Sequence, residues 1–270
     1  MKKHAEDLIL IDRDKCKKDC ICELECPFDL IYYGEDGYPR IRKAAKKQCI
    51  ACGHCVTVCP HQAFDLKLLR LENCEPIDRE LLPESEEVAM FIKSRRSIRT
   101  FRKKPVDRET LSWMLDVARY APSAHNVQPV RWIMVSDQEK IQRLAGIIIE
   151  WMAAHKLYPG VVRAWRNEGE DKVLRHAPHL AVAYARTDGE NPAEDCSIAT
   201  TYLELAGHAV GVGGCWAGFL MNAVEHTQEI DEALQIPEGH RIYGALMLGR
   251  PKFKYHLIPE RKPLEVRWDD

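Results

Sequence analysis

The sequence predicts an α+β chain in two parts, a small cysteine-rich unit over residues 1–70 and a larger domain over residues 88–270, joined by a linker at 71–87. Three observations predict this. Eight of the eleven cysteines fall between Cys16 and Cys59. The stretch from Leu71 to Glu87 is rich in acids and holds Pro76 and Pro83, as connecting segments do. Beyond it, apolar residues recur by turns at helical and at strand spacing. The doubled cysteine run is the one internal repeat, and no segment is of low complexity.

The elements follow in order. Ser85 can cap a helix from about Glu86 to Ser94. Asp107 opens another, with Leu111, Met114, Leu115 and Ala118 on one stripe, and Pro122 ends it. Trp132 to Val135 reads as a buried strand. Ser136 and Asp137 start a helix with Ile141, Leu144, Ile148 and Met152 inward. Leu180 to Ala185 is a second strand. Asn191-Pro192-Ala193-Glu194 is a helix start, with proline at the first position and an acid behind it. That helix carries Ile198, Tyr202, Leu205 and Ala209. Cys215 to Phe219 and Ile242 to Leu248 read as strands, with a helix near Ala223 to Leu234 between them.

Composition narrows the function. A net charge of −2 gives no reason to expect nucleic acid or an acidic membrane surface as partner. The opening Met1–Asp7 is interrupted by acids and reads as no export signal, and no run of about 18 apolar residues occurs. Cysteines at metal-cluster spacing without an export signal point to a reducing cytoplasm.

Cys49-x-x-Cys52-x-x-Cys55-x-x-x-Cys59-Pro60 suits a cubane iron–sulfur cluster. Structural zinc prefers paired knuckles separated by a dozen or more residues. A partner run precedes it: Cys16, Cys20, Cys22 and Cys26-Pro27. Counting back from Cys26, regular spacing falls on Cys22, Asp19 and Cys16, so Cys20 stands one place late. Either Cys20 is the ligand after a one-residue loop shift, which the softer thiolate favours, or Asp19 faces the iron and that corner is labile. The crosswise rule gives one cluster to Cys16, Cys20, Cys22 and Cys59, and the other to Cys26, Cys49, Cys52 and Cys55. This part resembles the bacterial two-cluster ferredoxin domain over about residues 5 to 70. Cys196 and Cys215 read as buried structural thiols, and Cys74 is open.

In the larger domain, Ser94-Arg95-Arg96-Ser97-Ile98-Arg99-Thr100-Phe101 is either a solvated basic helix end or a set of guanidinium forks and hydroxyls for a phosphate monoester. Ala121-Pro122-Ser123-Ala124-His125-Asn126-Val127-Gln128-Pro129 brings amides and hydroxyls to a loop. The glycines of Gly211-Val212-Gly213-Gly214 follow a helix and precede a strand, the reverse of a dinucleotide fingerprint; a helix C-cap is their minimum meaning. No Ser-His-Asp or His-Glu-x-x-His arrangement appears. His176 and His179 read as packing or capping residues. Trp151, Tyr158 and Trp165 read as core packing, with a substrate-facing lid as the alternative.

Taken with Gly211–Phe219, Leu248-Gly249-Arg250-Pro251 and Arg261-Lys262-Pro263-Leu264-Glu265, these segments resemble the FMN-dependent nitroreductase family over about residues 88 to 268. The resemblance implies a nitroreductase-like flavin fold, a central mixed sheet wrapped by helices in an entwined homodimer, behind the ferredoxin-like iron–sulfur domain. It implies FMN and two [4Fe-4S] clusters as cofactors. By the same resemblance Arg95, Arg96, Ser97 and Arg99 hold the FMN phosphate and ribityl end, and Arg261 closes on the phosphate. Pro122, Ser123, Asn126 and Gln128 meet the ribityl chain or the ring, of this copy or, in an entwined dimer, of its partner, and Ala217 and Gly218 offer backbone N–H groups toward flavin N5 and O4. The implied activity is reduction of small organic acceptors, nitroaromatic or quinone-like, with a ferredoxin or another redox protein as possible donor. No side-chain general acid is assigned. The alternatives are an electron-transfer adaptor and a specialised dehalogenase or flavin-processing enzyme on the same scaffold.

Overall fold

The structure is a computed structural model that describes residues 8–269; the opening Met1–Asp7, and the reading of it as no export signal, lies outside the described residues. The chain forms two compact units. Among the described residues the first runs to Leu82 and takes in His125–Val127, and the second holds Pro83–Ala124 and everything from Gln128 on. The stretch expected to be a linker is therefore divided. Its first twelve residues, with single 3-10 turns at Leu71–Asn73 and Arg79–Leu81, belong to the first unit.

In the first unit, strand β1 (Ile9–Ile11) pairs antiparallel with β4 (Phe64–Leu66), and β2 (Ile31–Tyr33) with β3 (Pro39–Ile41). Three one-turn helices intervene: α1 (Ile21–Leu24), α2 (Ala45–Gln48) and α3 (His54–Thr57). Strands of three residues bury few side chains. The core is Ile9, Leu30, Ile31, Ile41, Val56, Phe64 and Leu66, with cysteines packed around it. So small an apolar core leaves much of the stability to bound metal.

The second unit opens with α4 (Ser85–Ser94). Glu84, not Ser85, is its N-cap, in a reciprocal capping box with Glu87. Next come α5 (Arg108–Ala118), capped by the Asp107 side chain, and β5 (Arg131–Val135). The helix α6 (Gln138–Ala154) is capped by Asp137, and α7 (Pro159–Glu168) follows it. The remaining elements are β6 (His179–Arg186), α8 (Pro192–Ala209), β7 (Gly213–Trp216), α9 (Gly218–Val224), α10 (Glu229–Leu234) and β8 (His240–Gly249).

The sheet runs β5-β6-β8-β7, and every pairing in it is antiparallel. This corrects the expected mixed sheet as far as the described residues go. Both faces are covered. Leu180 and Val182 of β6, with Ile242, Ala245 and Met247 of β8, pack with α6 and α9. The alternate residues Ala181, Leu246 and Leu248 pack with Met114 of α5 and Leu203 of α8. Period-two alternation between two helical layers explains why β6 reads as an unbroken apolar run. The strand expected over Cys215–Phe219 stops at Trp216, because Gly218 starts α9, and the helix expected near Ala223–Leu234 is two short ones.

Candidate functional site

The two cysteine runs are copies displaced by 33 positions: Cys16 and Cys49, Asp19 and Cys52, Cys22 and Cys55, Cys26 and Cys59. The fold repeats the displacement. Leu30 N–H donates to Cys26 Sγ at 3.3 Å, and Ala63 N–H donates to Cys59 Sγ at 3.4 Å. Cys20 and Gly53 are the N-caps of α1 and α3, both left-handed, at φ 63 and φ 79.

These turns gather the sulfurs around two cavities. One is lined by Cys26, Cys49, Cys52 and Cys55 with Ile9, Leu30, Phe64 and Leu66. The other is lined by Cys16, Cys22 and Cys59 with Asp19, Tyr33 and His61. Cys20 lines neither, which corrects its expected place. It stands where Gly53 stands in the second run, a left-handed turn position that supplies no side chain there. Its Sγ lies 3.8 Å from the Lys18 carbonyl, and its N–H donates to the Tyr33 hydroxyl at 3.1 Å. The fourth side chain of that cavity is Asp19.

The donor set fits iron–sulfur clusters. Among the described residues no three His, Cys, Asp or Glu side chains converge on a point that could hold a single metal ion. A tetrahedral zinc needs all its sulfurs about 2.3 Å from one centre, whereas a cubane spreads them over its corners. Burial pushes the Cys55 thiol up to about 12 and raises that of Cys22, so metal entry must displace protons from these sulfurs. All eleven cysteines are free of disulfides.

In the second unit, two glycines bring the arginine segment onto the sheet. Ile98 N–H donates to the Gly214 carbonyl at 2.8 Å, and a Cβ at Gly213 would overlap the Ile98 side chain. Arg95 is held in turn by an ion pair with Glu204, Nη1 to Oε1 at 2.8 Å. Arg96 and Ser97 are half-buried beside it, and Arg99 is exposed. Arg99 lines a cavity of about 760 Å³ together with Lys103, Gln138, Arg175, His176 and two carboxylates, Asp171 and Glu170, the latter paired with Lys172 at 3.1 Å. That volume lies within the roughly 300–1,000 Å³ of small-molecule sites.

Sequence reasoning missed three of the four cations there: Lys103, Lys172 and Arg175. What presents the last two is the buried Asp171 carboxylate. Its Oδ1 accepts from Val173 N–H at 2.9 Å and Leu174 N–H at 2.8 Å, and its Oδ2 accepts from His176 N–H at 3.0 Å. The loop so tied holds Arg175 and His176 in the left-handed region, at φ 59 and φ 50. An Asp a few residues before a proline and a strand was the available signal, and it is a weak one.

Other expected residues lie elsewhere. Pro122, Ser123 and Gln128 line a cavity of about 150 Å³ with Trp132 and Asp195. Ser123 Oγ accepts from Gln128 N–H at 2.9 Å, and the buried Asp195 accepts from Ala124 N–H at 3.0 Å. Asn126 belongs by its contacts to the first unit, where its amide donates to the carbonyls of Ile50 and Ala51 at 3.3 and 3.1 Å. The Ala217 N–H is spent on the Ala245 carbonyl at 2.9 Å, which corrects its expected role as a donor to a ring. Gly218 is the first residue of α9, where an N–H has no carbonyl four residues back. Arg261 lies exposed in an irregular C-terminal segment.

His176 and His179 make structural hydrogen bonds. His176 Nε2 accepts from Asp171 N–H, and His179 is buried between Val106 and Ser136. Trp151 packs against the core and stacks on His226, as Trp165 packs against the same core, whereas Tyr158 is 47% exposed and meets Phe219 edge-on.

Known proteins resemble the chain over both of its parts. The sequence profile of the nitroreductase family matches residues 92–250, and that of the 4Fe-4S dicluster domain matches residues 14–64. The chain is 29% identical over 167 residues to a putative NADH dehydrogenase/NAD(P)H nitroreductase of Archaeoglobus fulgidus, covering 62% of this chain and 87% of the relative. It is 26% identical over 178 residues to the iodotyrosine deiodinase of Thermotoga neapolitana, covering 59% and 86%. A crystal structure of a nitroreductase with bound FMN from Bacteroides fragilis superposes with a TM-score of 0.56 at 24% identity, over 67% of this chain and 95% of that one, which shows the shared fold. The chain belongs to the nitroreductase family of oxidoreductases and carries a 4Fe-4S dicluster domain ahead of the family domain.

Proposed function

We propose that the protein reduces a small organic acceptor, nitroaromatic or quinone-like, at an FMN held in the second unit, with electrons supplied through two [4Fe-4S] clusters held in the first. The observation that carries the reading is the cavity lined by Arg99, Lys103, Lys172 and Arg175 in a family fold whose solved relative binds FMN. With Lys172 paired to Glu170, Arg99, Lys103 and Arg175 are the cations that suit a phosphate monoester and an electron-rich ring edge. Bound FMN supplies the redox chemistry, taking up electrons and passing them to an acceptor.

The chain's own residues bind and orient. Arg99, Lys103 and Arg175 neutralise the phosphate, and Arg96 and Ser97 add donors at the ribityl end. Arg95 acts through its ion pair, which holds the segment on β7. Pro122, Ser123 and Gln128 form a polar rim, and the Gly218 N–H is a donor for the ring. No side chain is assigned a proton-transfer role. Cys26, Cys49, Cys52 and Cys55 hold one cluster; Cys16, Cys22 and Cys59 hold the other.

A homodimer completes the proposal. Phe253, Tyr255, Leu257, Leu264 and Trp268 are all more than half exposed along a C-terminal segment without regular structure. A second copy of the chain is the natural cover for them, and it would bring Arg261 to a flavin. No helix among the described residues is long and apolar enough to cross a membrane, and eleven free cysteines suit a reducing cytoplasm.

The test is anaerobic reconstitution followed by stepwise reduction with a nitroarene present. Flavin bleaching by dithionite-reduced ferredoxin but not by NADH, with loss of the nitro absorbance, is the expected result. A preparation that releases no FMN on denaturation, or holds no more than about four irons per chain, sinks the reading. The likeness to iodotyrosine deiodinase favours one other acceptor, an iodinated phenol. Iodide release under the same reducing conditions separates the two.

A further inference from the structure

The geometry points to a [4Fe-4S] cluster with a carboxylate corner: Asp19 completes the site of Cys16, Cys22 and Cys59, and the iron it holds is removable. The inference rests on the two-cluster reading above and deepens it. Asp19 lies 33 positions before Cys52, so it occupies the second ligand place of its run, and it lines the cavity that Cys20 does not. Cys20 repeats Gly53 in chain position and in its left-handed backbone, a turn position that provides no ligand in the second run. A one-residue loop shift that would present Cys20 is thus not the conformation adopted.

The corner is also unlike the others in its surroundings. The Asp19 side chain is 32% exposed, and its Oδ2 lies 3.8 Å from His61 Nε2. Its Oδ1 accepts a long hydrogen bond from Ile21 N–H at 3.4 Å. Carboxylate oxygen is a harder donor than thiolate and holds iron in a sulfide cluster less firmly. Solvent and His61 both compete for that oxygen. The [4Fe-4S]2+ cluster can then release Fe2+ from this corner and leave [3Fe-4S] with no net charge. Three thiolates remain on the three irons, and no electron is exchanged.

The full chain, reconstituted anaerobically with iron and sulfide, is treated with ferricyanide, desalted, and assayed for iron and by electron paramagnetic resonance. Ferricyanide takes one electron from the three-iron cluster and converts its integer-spin state to the half-integer-spin state that gives the resonance signal. The expected result is a fall from about eight to about seven irons per chain with about one spin of three-iron signal, reversed by added ferrous iron and a reductant. Asp19→Cys abolishes the loss. Cys20→Gly, which gives the turn the residue found at Gly53, assembles and loses iron as the unaltered chain does. Retention of all the iron by the unaltered chain overturns the inference, as does continued loss in Asp19→Cys. Failure of Cys20→Gly to assemble the second cluster also overturns it. An initial count of about four irons is a different outcome: it refutes the two-cluster reading, and the inference with it.

Discussion

The Tyr33 hydroxyl lies 3.5 Å from Cys22 Sγ while accepting the Cys20 N–H at 3.1 Å. With its lone pair engaged by Cys20, the hydroxyl proton is left to point at the Cys22 sulfur. Burial, with the Cys22 contact behind it, raises the Tyr33 pKa, so the group stays protonated and remains a donor. Hydrogen bonds to a ligand sulfur favour the reduced, more negative cluster. Tyr33→Phe is expected to lower the reduction potential of the cluster on Cys16, Cys22 and Cys59 and to leave the other unchanged. A redox titration followed by paramagnetic resonance measures both, and equal shifts in both would count against this assignment.

Gly213 allows the arginine segment to lie on β7. An alanine there overlaps Ile98, whose N–H bonds Gly214. Gly213→Ala is expected to cost about 1–3 kcal/mol through overpacking. It should also weaken flavin retention, since Arg95, Arg96, Ser97 and Arg99 ride on the same segment. Thermal melting and released-flavin fluorescence test this, with iron content unchanged as the control.

Arg175 reaches the large cavity only because Asp171 ties its loop. A hydrogen bond to a charged group contributes about 1.5–3 kcal/mol. Arg175→Ala is therefore expected to weaken FMN binding by roughly ten- to a hundredfold. Titration of the apo-flavin protein with FMN measures it. An unchanged affinity would remove this cavity from consideration as the phosphate site.

His179 makes stability depend on pH. The ring is 2% exposed; Nε2 accepts from Val106 N–H at 2.9 Å, and Nδ1 lies 2.7 Å from Ser136 Oγ. The neutral tautomer with its proton on Nδ1 meets both partners. Burial holds the pKa below the ordinary 6.5. The unfolded chain therefore binds the proton first on acidification, and stability rises with pH across that window. The contribution is complete above 6.5 and is lost as pH falls through the folded value. Denaturation midpoints between about pH 7.5 and about pH 5 should fall for the unaltered chain and fall less for His179→Gln.

Much of this fold was legible in the chain. Asp107 and Asp137 cap the helices they precede, and the apolar stripes of α5 and α6 are buried as their spacing requires. Such signals are local, so they survive without tertiary context. The strand expected through Phe219 failed for the converse reason. A short apolar run has no period to separate strand from helix, and the chain turns at Ala217, whose N–H is spent on the neighbouring strand β8. The helix α7 was missed because its fixing features, a left-handed Tyr158 ahead of Pro159, are backbone geometry rather than pattern. The antiparallel sheet order joins residues far apart in sequence and left no mark in any single segment.

The same division runs through the sites. By itself the sequence determined that cysteines stand at cluster spacing and that arginines and hydroxyls open the second domain, because ligand type and spacing are covalent facts. Only the tertiary structure decided which side chains face each cavity. The direction of a side chain depends on the backbone dihedral that carries it, and Cys20, with a left-handed φ of 63, does not line the cavity that Asp19 lines. The convergence of Arg99, Lys103, Lys172 and Arg175 likewise required the Asp171 turn to fold, since nothing in the linear order brings those four charges together.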